Sequence, residues 1–503
     1  MVEAERKPRQ FWRGFFIGGI TLKITIIGGG IVGALLAYEL SRYAVDLVVI
    51  EKKHDFGLGV TKANSAIVHG GYDDPPGSLR AELCYKGNQL YEKLAESLGI
   101  PLKRIGSFVV ARDTSEEMEK LSELLKRGEK NGVDGIEIVE KPFLEKHEPH
   151  LSKEYKYALH CTHTGITEPW TVALAALEAA EKAGAELLRG DGVIGGEVSK
   201  GNVRSLELES GRIIETDLVI NAAGLYYHEV ANSFGVSTPQ VYLRKGQYVL
   251  LDHKASTMVN SVIFPLPSEK GKGKLVVPTV DGGVLLGPTS ENMPDFTPED
   301  VSTTLEGIKE VIEAGNELIP NIARPNWIVK SFAGLRPETQ EKDFFIENSN
   351  TLKNFVTVGA IRSPGLTAAP AIARYVIEEI LEQRMSLDLG RQKADQVRTL
   401  KSFRVNESDL KEIAARVKDD EKYGRIICQC NQVSEAEIIE AIRKGARSID
   451  GIKFRTRAGF GRCQGGFCTW KIAKILSREL NIPLSEVRVN EEGTVLFDGK
   501  VRV

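Results

Sequence analysis

Cysteine is scarce in this chain of 503 residues, with six in all. A secreted disulfide framework would need more, spread along the chain. Cys84 and Cys161 stand alone, whereas Cys428, Cys430, Cys463 and Cys468 fall close together near the C-terminus. That clustering is the pattern of a metal site in a reducing compartment, which places the protein in the cytoplasm. Surplus charge is also lacking: Lys plus Arg is 66 and Asp plus Glu is 69, a net charge of -3. A nucleic-acid binder would carry a basic surplus, so that class is excluded, and membrane contact is at most peripheral, at the inner face. No uninterrupted apolar run reaches the roughly 20 residues of a membrane span. The basic start MVEAERKPRQFWRGFF lacks a small-residue cleavage site, so residues 1–21 read as an extension. There is no G-X-Y period, no Gly/Ser-rich linker and no internal repeat. Glycine is nonetheless abundant, at 49 residues, so it must sit where backbone geometry demands it. With 42% hydrophobic and 27% charged residues, the chain has room for two or three soluble domains.

What is present begins at Leu22. LKITIIG is a short β-branched run of the buried parallel type, followed by glycines, a helical pattern over Ile31–Ser41 and a second buried strand over Asp46–Glu51. This is a βαβ unit with G-x-G-x-x-G at its first turn. Gly28 permits the tight turn, Gly30 lets a diphosphate approach the backbone, and Gly33 allows close packing of helix on strand. The N-terminal turn of the helix, with Ile31 and Val32, faces the anion. Glu51 ends the next strand, where a carboxylate accepts the hydroxyls of an adenosine ribose. Amphipathic helices follow between 85 and 132, and an alanine-rich helix over Thr171–Ala185. Antiparallel strands occupy 240–290, a helix about 300–317, and a last strand and helix 354–383. A charged segment over 384–424 suits a linker with some helix.

The C-terminal cysteines read C-x-C, a gap, then C-x4-C. Thiolates bind both zinc and iron–sulfur clusters. Zinc knuckles favour C-x2-C, which neither pair matches, and Gly459, Gly461, Gly465 and Gly466 let backbone N–H groups approach sulfur. Both metals stay open on spacing alone. Cys84 and Cys161 read as small core residues.

Two resemblances sharpen these readings. With GVTKANSAIVHGG after Glu51, DLVINAAG at 217–224 and RSPGLT at 362–367, residues 22 to about 380 resemble the D-amino-acid-oxidase-like FAD-dependent oxidoreductases. The resemblance implies FAD, and the lack of a second G-x-G-x-x-G argues against a separate NAD site. It implies that Thr61, Asn64, Ser65, Ala66, Ile67 and His69 run along the flavin. Asn221, Ala222, Ala223 and Gly224 pass the diphosphate, and Pro364, Gly365, Leu366 and Thr367 cap the pyrimidine edge. Lys52, Val193, Gly334, Arg336 and Arg362 complete the implied cofactor set. Where many members have NSG, this chain has Asn64-Ser65-Ala66. ICQCNQVSEAEIIEAIRKGARSIDGIK and RAGFGRCQGGFC resemble the bacterioferritin-associated ferredoxin-like domain, which implies a [2Fe-2S] cluster on Cys428, Cys430, Cys463 and Cys468.

The expected architecture is an α/β Rossmann-like FAD domain (22–84, 151–235, 331–383) interleaved with an α+β antiparallel-sheet substrate domain (85–150, 236–330). The linker leads to a small, mainly helical [2Fe-2S] domain at 425–503 that ends in short strands. His69 is the candidate base. Arg336 matches the family arginine for the anionic end of the substrate, with Arg244, Lys245 and Arg362 as further anion-binding candidates. The fusion of the two domains, with PTVDGGVLLGPT and GITEPW, resembles anaerobic-type glycerol-3-phosphate dehydrogenases. The expected reaction is oxidation of sn-glycerol 3-phosphate at the flavin, with electrons leaving through the cluster to a partner protein in an oligomer or complex. L-2-hydroxyglutarate oxidation, to which NSAIVHGGYDDPPGSLRAELC is also similar, is the alternative. An amino-acid (proline or sarcosine type) dehydrogenase subunit and a non-catalytic electron-transfer subunit are the others.

Overall fold

The computed structural model describes residues 21–267, 273–390, 399, 401–491 and 493–497. Strand β1 (Leu22–Ile27), helix α1 (Ile31–Leu40) and strand β2 (Val45–Glu51) form the expected βαβ unit. The two strands lie at the centre of a six-stranded sheet with Leu218–Asn221, Phe355–Gly359, Phe345–Asn348 and Glu186–Arg189. All pairings are parallel except that of the edge strand Phe345–Asn348. The central strands bury mainly apolar residues, such as Ile24, Ile26, Val49, Ile220 and Val356, because parallel sheets are covered on both faces. Register places Ile27 opposite both Ile50 and Asn221, so Gly28, Glu51 and Ala222 emerge at one end of the sheet. Helix α1 packs with helices Pro169–Lys182 and Gly365–Tyr375 in a core that includes Ile24, Leu35, Ala176 and Ile372.

A second, mixed sheet runs from Glu291–Asn292 through Tyr242–Leu251, Val284–Gly287, Leu275–Pro278, Val262–Pro265 and Ser107–Arg112 to Tyr155–Cys161 and Ile136–Glu140. Ile328–Glu338 pairs antiparallel with Tyr242–Leu251, setting Arg336 opposite Arg244. The turn at Asp281-Gly282-Gly283 closes through Thr279 N–H to the Gly283 carbonyl. The helix expected at about 300–317 spans Leu305–Leu318, capped by the Thr304 side chain.

The division of the chain between the two layers differs from the sequence boundaries. Helix Leu79–Leu98 buries Leu83, Tyr91, Leu94 and Leu98 in the core of the parallel sheet. Strands Tyr155–Cys161 and Ile328–Glu338 belong to the large sheet. An apolar strand pattern does not name its partner, so pairing was decided by tertiary packing.

The C-terminal module is mainly helical: Glu435–Arg443, Ile449–Thr456 and Thr469–Leu480 enclose Ile438, Ile442, Ile452, Ile472 and Leu476. Within the expected linker, Leu410–Asp419 is a helix with an Asp409/Glu412 capping box. Among the described residues, the strands expected at the C-terminus appear as single bridges of Arg488 with Ser448 and Val495. Thr494 N–H closes the turn at Gly493 on the Glu491 carbonyl. The extension over 1–20, Glu492 and the turn at Asp498-Gly499 lie outside the described residues. Among the described residues no helix is long and apolar enough to cross a membrane.

The module is joined to the rest of the molecule by buried ion pairs. Arg455 makes a bidentate contact with Asp55, which is 2% exposed, and Arg189 approaches the same carboxylate at 3.5 Å. Arg457 bridges Glu168 and Asp281.

Candidate functional site

The C-terminal ends of the parallel strands open into a cavity of about 1350 Å³ that continues between the two sheets. At one end it is floored by the glycine turn. Gly28 has φ +107, and a Cβ there would lie 2.4 Å from the Ala222 carbonyl oxygen; a Cβ on Gly33 would lie 1.9 Å from the Gly28 oxygen. No side chain caps α1 at Gly30, and the Ile31 N–H alone is taken by Thr61 Oγ1 at 2.9 Å. The first turn of α1 is therefore a bare N–H cradle for a diphosphate. Glu51 receives the Gly29 and Lys53 N–H groups at 2.9 Å each, and burial pushes its carboxyl above the usual range. Lys52 lies 3.9 Å over the Tyr226 ring. These features fit a dinucleotide.

At the other end, Asn64 Oδ1 accepts the Ala66 N–H at 2.8 Å and holds Ala66 at φ +59. This is a left-handed position, which glycine adopts without strain. His69 donates its backbone N–H to Thr367 Oγ1 at 2.9 Å, and its ring lies 5.9 Å from that of Phe264. Helix Gly365–Tyr375 points its uncapped N-terminus at the cavity. Three guanidinium groups converge there. Arg336 spends one N–H on the Thr289 carbonyl at 2.9 Å. Arg362 pairs with Glu338 at 2.6 Å, and Arg80 pairs with Asp74 at 2.9 Å. Burial pushes Arg362 down to about 10, against the pull of Glu338 and helped by Arg80 and Arg336. Arg80 Nε, Arg362 Nε and Glu338 Oε1 are buried and meet no partner among the described residues.

Most of the expected residues line this one cavity: Gly28, Gly30, Ile31, Val32, Glu51, Lys52, Thr61, Asn64, Ser65, Ala66, Ile67, His69, Val193, Ala222, Ala223, Gly224, Arg244, Gly334, Arg336, Arg362, Pro364, Gly365 and Leu366. Gly33, Asn221 and Thr367 stand behind the wall and hold it, Asn221 through its amide to the Tyr227 carbonyl at 2.8 Å. Lys245 is a correction. Successive strand residues face opposite ways, so Arg244 reaches the cavity while Lys245 is buried against Asp300 at 2.8 Å. Arg80 and Tyr248 were missed. Arg80 had only an unremarkable helix start as signal; Tyr248, stacked on Phe332 and 3.3 Å from Ser65 Oγ, had none beyond a strand pattern.

In the C-terminal module the four cysteines fall into two pairs. Cys430 and Cys463 sulfurs are 3.6 Å apart, and the Cys468 thiol hydrogen-bonds Cys428. Cys428 is held down to about 6 by that thiol and by N–H groups of Gly459, Asn431 and Cys430; Phe467 and Gly465 N–H groups reach Cys463. No group of three or more ligands converges on a single point among the described residues. A 2+2 arrangement with N–H donors suits two irons, each taking one pair, better than one tetrahedral zinc.

Residues 23–379 match the model of the FAD dependent oxidoreductase family, and 426–478 match the BFD-like [2Fe-2S] binding domain. A glycerol 3-phosphate dehydrogenase of Caloramator mitchellensis is 37% identical over 95% of this chain and 98% of its own. L-2-hydroxyglutarate dehydrogenase of Mus musculus is 28% identical over 72% of this chain and 88% of its own. Among solved structures, the dithionite-reduced L-α-glycerophosphate oxidase of Mycoplasma pneumoniae with FAD bound superposes with a TM-score of 0.69 at 28% identity, covering 75% of this chain and 98% of the other.

Proposed function

We propose that this chain, which belongs to the FAD-dependent oxidoreductase family and carries a BFD-like [2Fe-2S] domain, oxidises sn-glycerol 3-phosphate to dihydroxyacetone phosphate. Its cofactors are FAD and a [2Fe-2S] cluster. The observation that carries the substrate is the cavity end where His69 and three guanidinium groups surround a space continuous with the nucleotide cradle. When bound, FAD supplies the hydride acceptor for the substrate C2–H, and the cluster supplies a one-electron acceptor in the same chain.

The protein's own groups do the rest. Gly28, Gly30 and the first turn of α1 hold the diphosphate, Glu51 the ribose, and Thr61–Ile67 and Pro364–Leu366 the flavin ring. Arg336, with Arg362 and Arg80 beside it, holds the phosphate dianion; a guanidinium fork matches its oxygens two at a time. His69 takes the C2 hydroxyl proton as the carbonyl forms. Electrons leave to a partner protein at the C-terminal module.

Anaerobic mixing of oxidised protein with glycerol 3-phosphate is expected to bleach the flavin absorbance. A carboxylate would also fit the arginines, and the L-2-hydroxyglutarate dehydrogenase relative favours that as the second reading. Bleaching by L-2-hydroxyglutarate or proline, with none by glycerol 3-phosphate, would overturn the assignment.

A further inference from the structure

An aromatic contact lies between the cavity and the cysteine loops. Pro169 lines the cavity. The next residue, Trp170, lies beside Gly57, which leads into the lining segment 58–61: a Cβ on Gly57 would be 3.8 Å from Thr61 Cγ2 and 3.9 Å from Trp170 Cα. The Trp170 ring stacks on Phe460 at 5.5 Å and 15° and meets Phe454 edge-on at 5.3 Å. Phe460 precedes Gly461, which is pressed against a cluster ligand: a Cβ there would lie 2.2 Å from Cys430 Cβ. The Trp170 indole N–H is buried with no hydrogen-bond partner among the described residues, so stacking rather than hydrogen bonding holds the ring.

The contact is clamped at both ends. Glu168, two residues before Trp170, is 2% exposed and bound by Arg457, three residues before Phe460. The Arg457 carbonyl accepts the Phe460 N–H at 3.1 Å and the Asn431 amide at 2.6 Å, which ties the clamp to the Cys430 loop. Lys453 and Lys330 lie 5.1 and 5.6 Å from the Phe460 ring centroid. Positive charge beside this contact favours an electron arriving there.

We infer that the Trp170–Phe460 stack is the contact through which electrons pass from the flavin cavity to the cluster, and that Glu168 and Arg457 are its positioning residues. This rests on the electron path of the proposed function. The electron transfer itself forms no bond; the one bond broken is the flavin N–H, whose proton leaves as the flavin is reoxidised. One electron of the two-electron-reduced flavin converts one ferric iron of the oxidised cluster to ferrous iron. The second follows once a one-electron acceptor protein has reoxidised that iron, and the proton held by the reduced flavin returns to solvent.

The test uses the full-length holoenzyme with Trp170→Leu, and Trp170→Phe as the conservative variant. Iron, sulfide and FAD contents are measured first, and both variants are expected to retain all three. Flavin is then reduced either by glycerol 3-phosphate or, without substrate, by a light-driven reductant pulse, while flavin bleaching and the ferrous-cluster EPR signal are followed separately. Flavin reduction is expected at the unaltered rate. Cluster reduction in Trp170→Leu is expected to slow severalfold against the parent and to recover largely in Trp170→Phe. Cluster reduction that keeps pace in Trp170→Leu, or loss of the cluster itself in both variants, overturns the inference. Failure of glycerol 3-phosphate alone, with light-driven transfer intact, counts against the substrate and leaves the contact standing.

Discussion

Replacing Arg336 by Ala should separate binding of the anionic end from the rest of the reaction. Its guanidinium spends one N–H on the Thr289 carbonyl, leaving four of its five donors for the cavity. A hydrogen bond to a charged group contributes about 1.5–3 kcal/mol, and a phosphate held by the fork takes two. Arg362 and Arg80 remain nearby and recover part of that, so a net loss of roughly 3–4 kcal/mol is expected. At tenfold for every 1.4 kcal/mol, this is on the order of a hundred- to a thousandfold in kcat/KM for glycerol 3-phosphate, expressed mainly in KM. FAD content should be unchanged. Turnover of glycerol, which has no phosphate to hold, should be as poor in the variant as in the parent. Arg336→Lys keeps the charge but loses the planar fork and should fall between the two. Steady-state kinetics with a dye acceptor, together with the flavin absorbance of each purified protein, measures all of this. A KM for glycerol 3-phosphate that does not move in Arg336→Ala would refute the assignment of the phosphate to this end of the cavity.

Other perturbations test the remaining parts. Gly33→Val forces a side chain into the space 1.9 Å from the Gly28 carbonyl and should yield protein without flavin absorbance; normal FAD content would count against the cradle. Cys430→Ser should lose iron and sulfide while FAD stays, and a full iron complement would remove Cys430 from the ligand set. Asp55→Ala strands Arg455 in a buried interface at a cost of about 3–5 kcal/mol. It should expose the junction with the C-terminal module to limited proteolysis, and parental resistance would contradict the clamp. Burial, with Lys453 and Lys62 near, holds Lys330 down to about 8 from an ordinary 10.5. The unfolded chain therefore binds this proton more tightly between those pH values, and stability gains from Lys330 losing its charge as pH rises through them. Lys330→Met should raise the thermal midpoint at pH 7 and lose that advantage by about pH 10.5; a pH-independent difference would contradict the burial of charge.

The βαβ unit was legible because each of its parts is local. Gly28, Gly30 and Gly33 lie within six residues of one another, and Glu51 ends the adjoining strand. The cysteine grouping was legible for the same reason, since its four thiols come from two short loops. Ala66 is a subtler case: the sequence departs from glycine there, and only the backbone shows that the left-handed conformation is kept, held by Asn64.

Local pattern by itself determined the cofactor cradle, the four thiols and the order of strands and helices along the chain, because these depend on turn chemistry and on periods of two and 3.6 residues. What only the tertiary structure decided are relations between distant residues. Strand parity turned Lys245 away and kept Arg244 in the cavity. Pairing of Tyr242–Leu251 with Ile328–Glu338 set Arg336 opposite Arg244, and the start of helix Leu79–Leu98 carried Arg80 to the side of Arg362, far along the chain. The contact of Trp170 with Phe460 belongs to the same class. Neighbours of this kind are chosen by packing and by the pairing of buried charges, and neither leaves a periodic trace in the sequence.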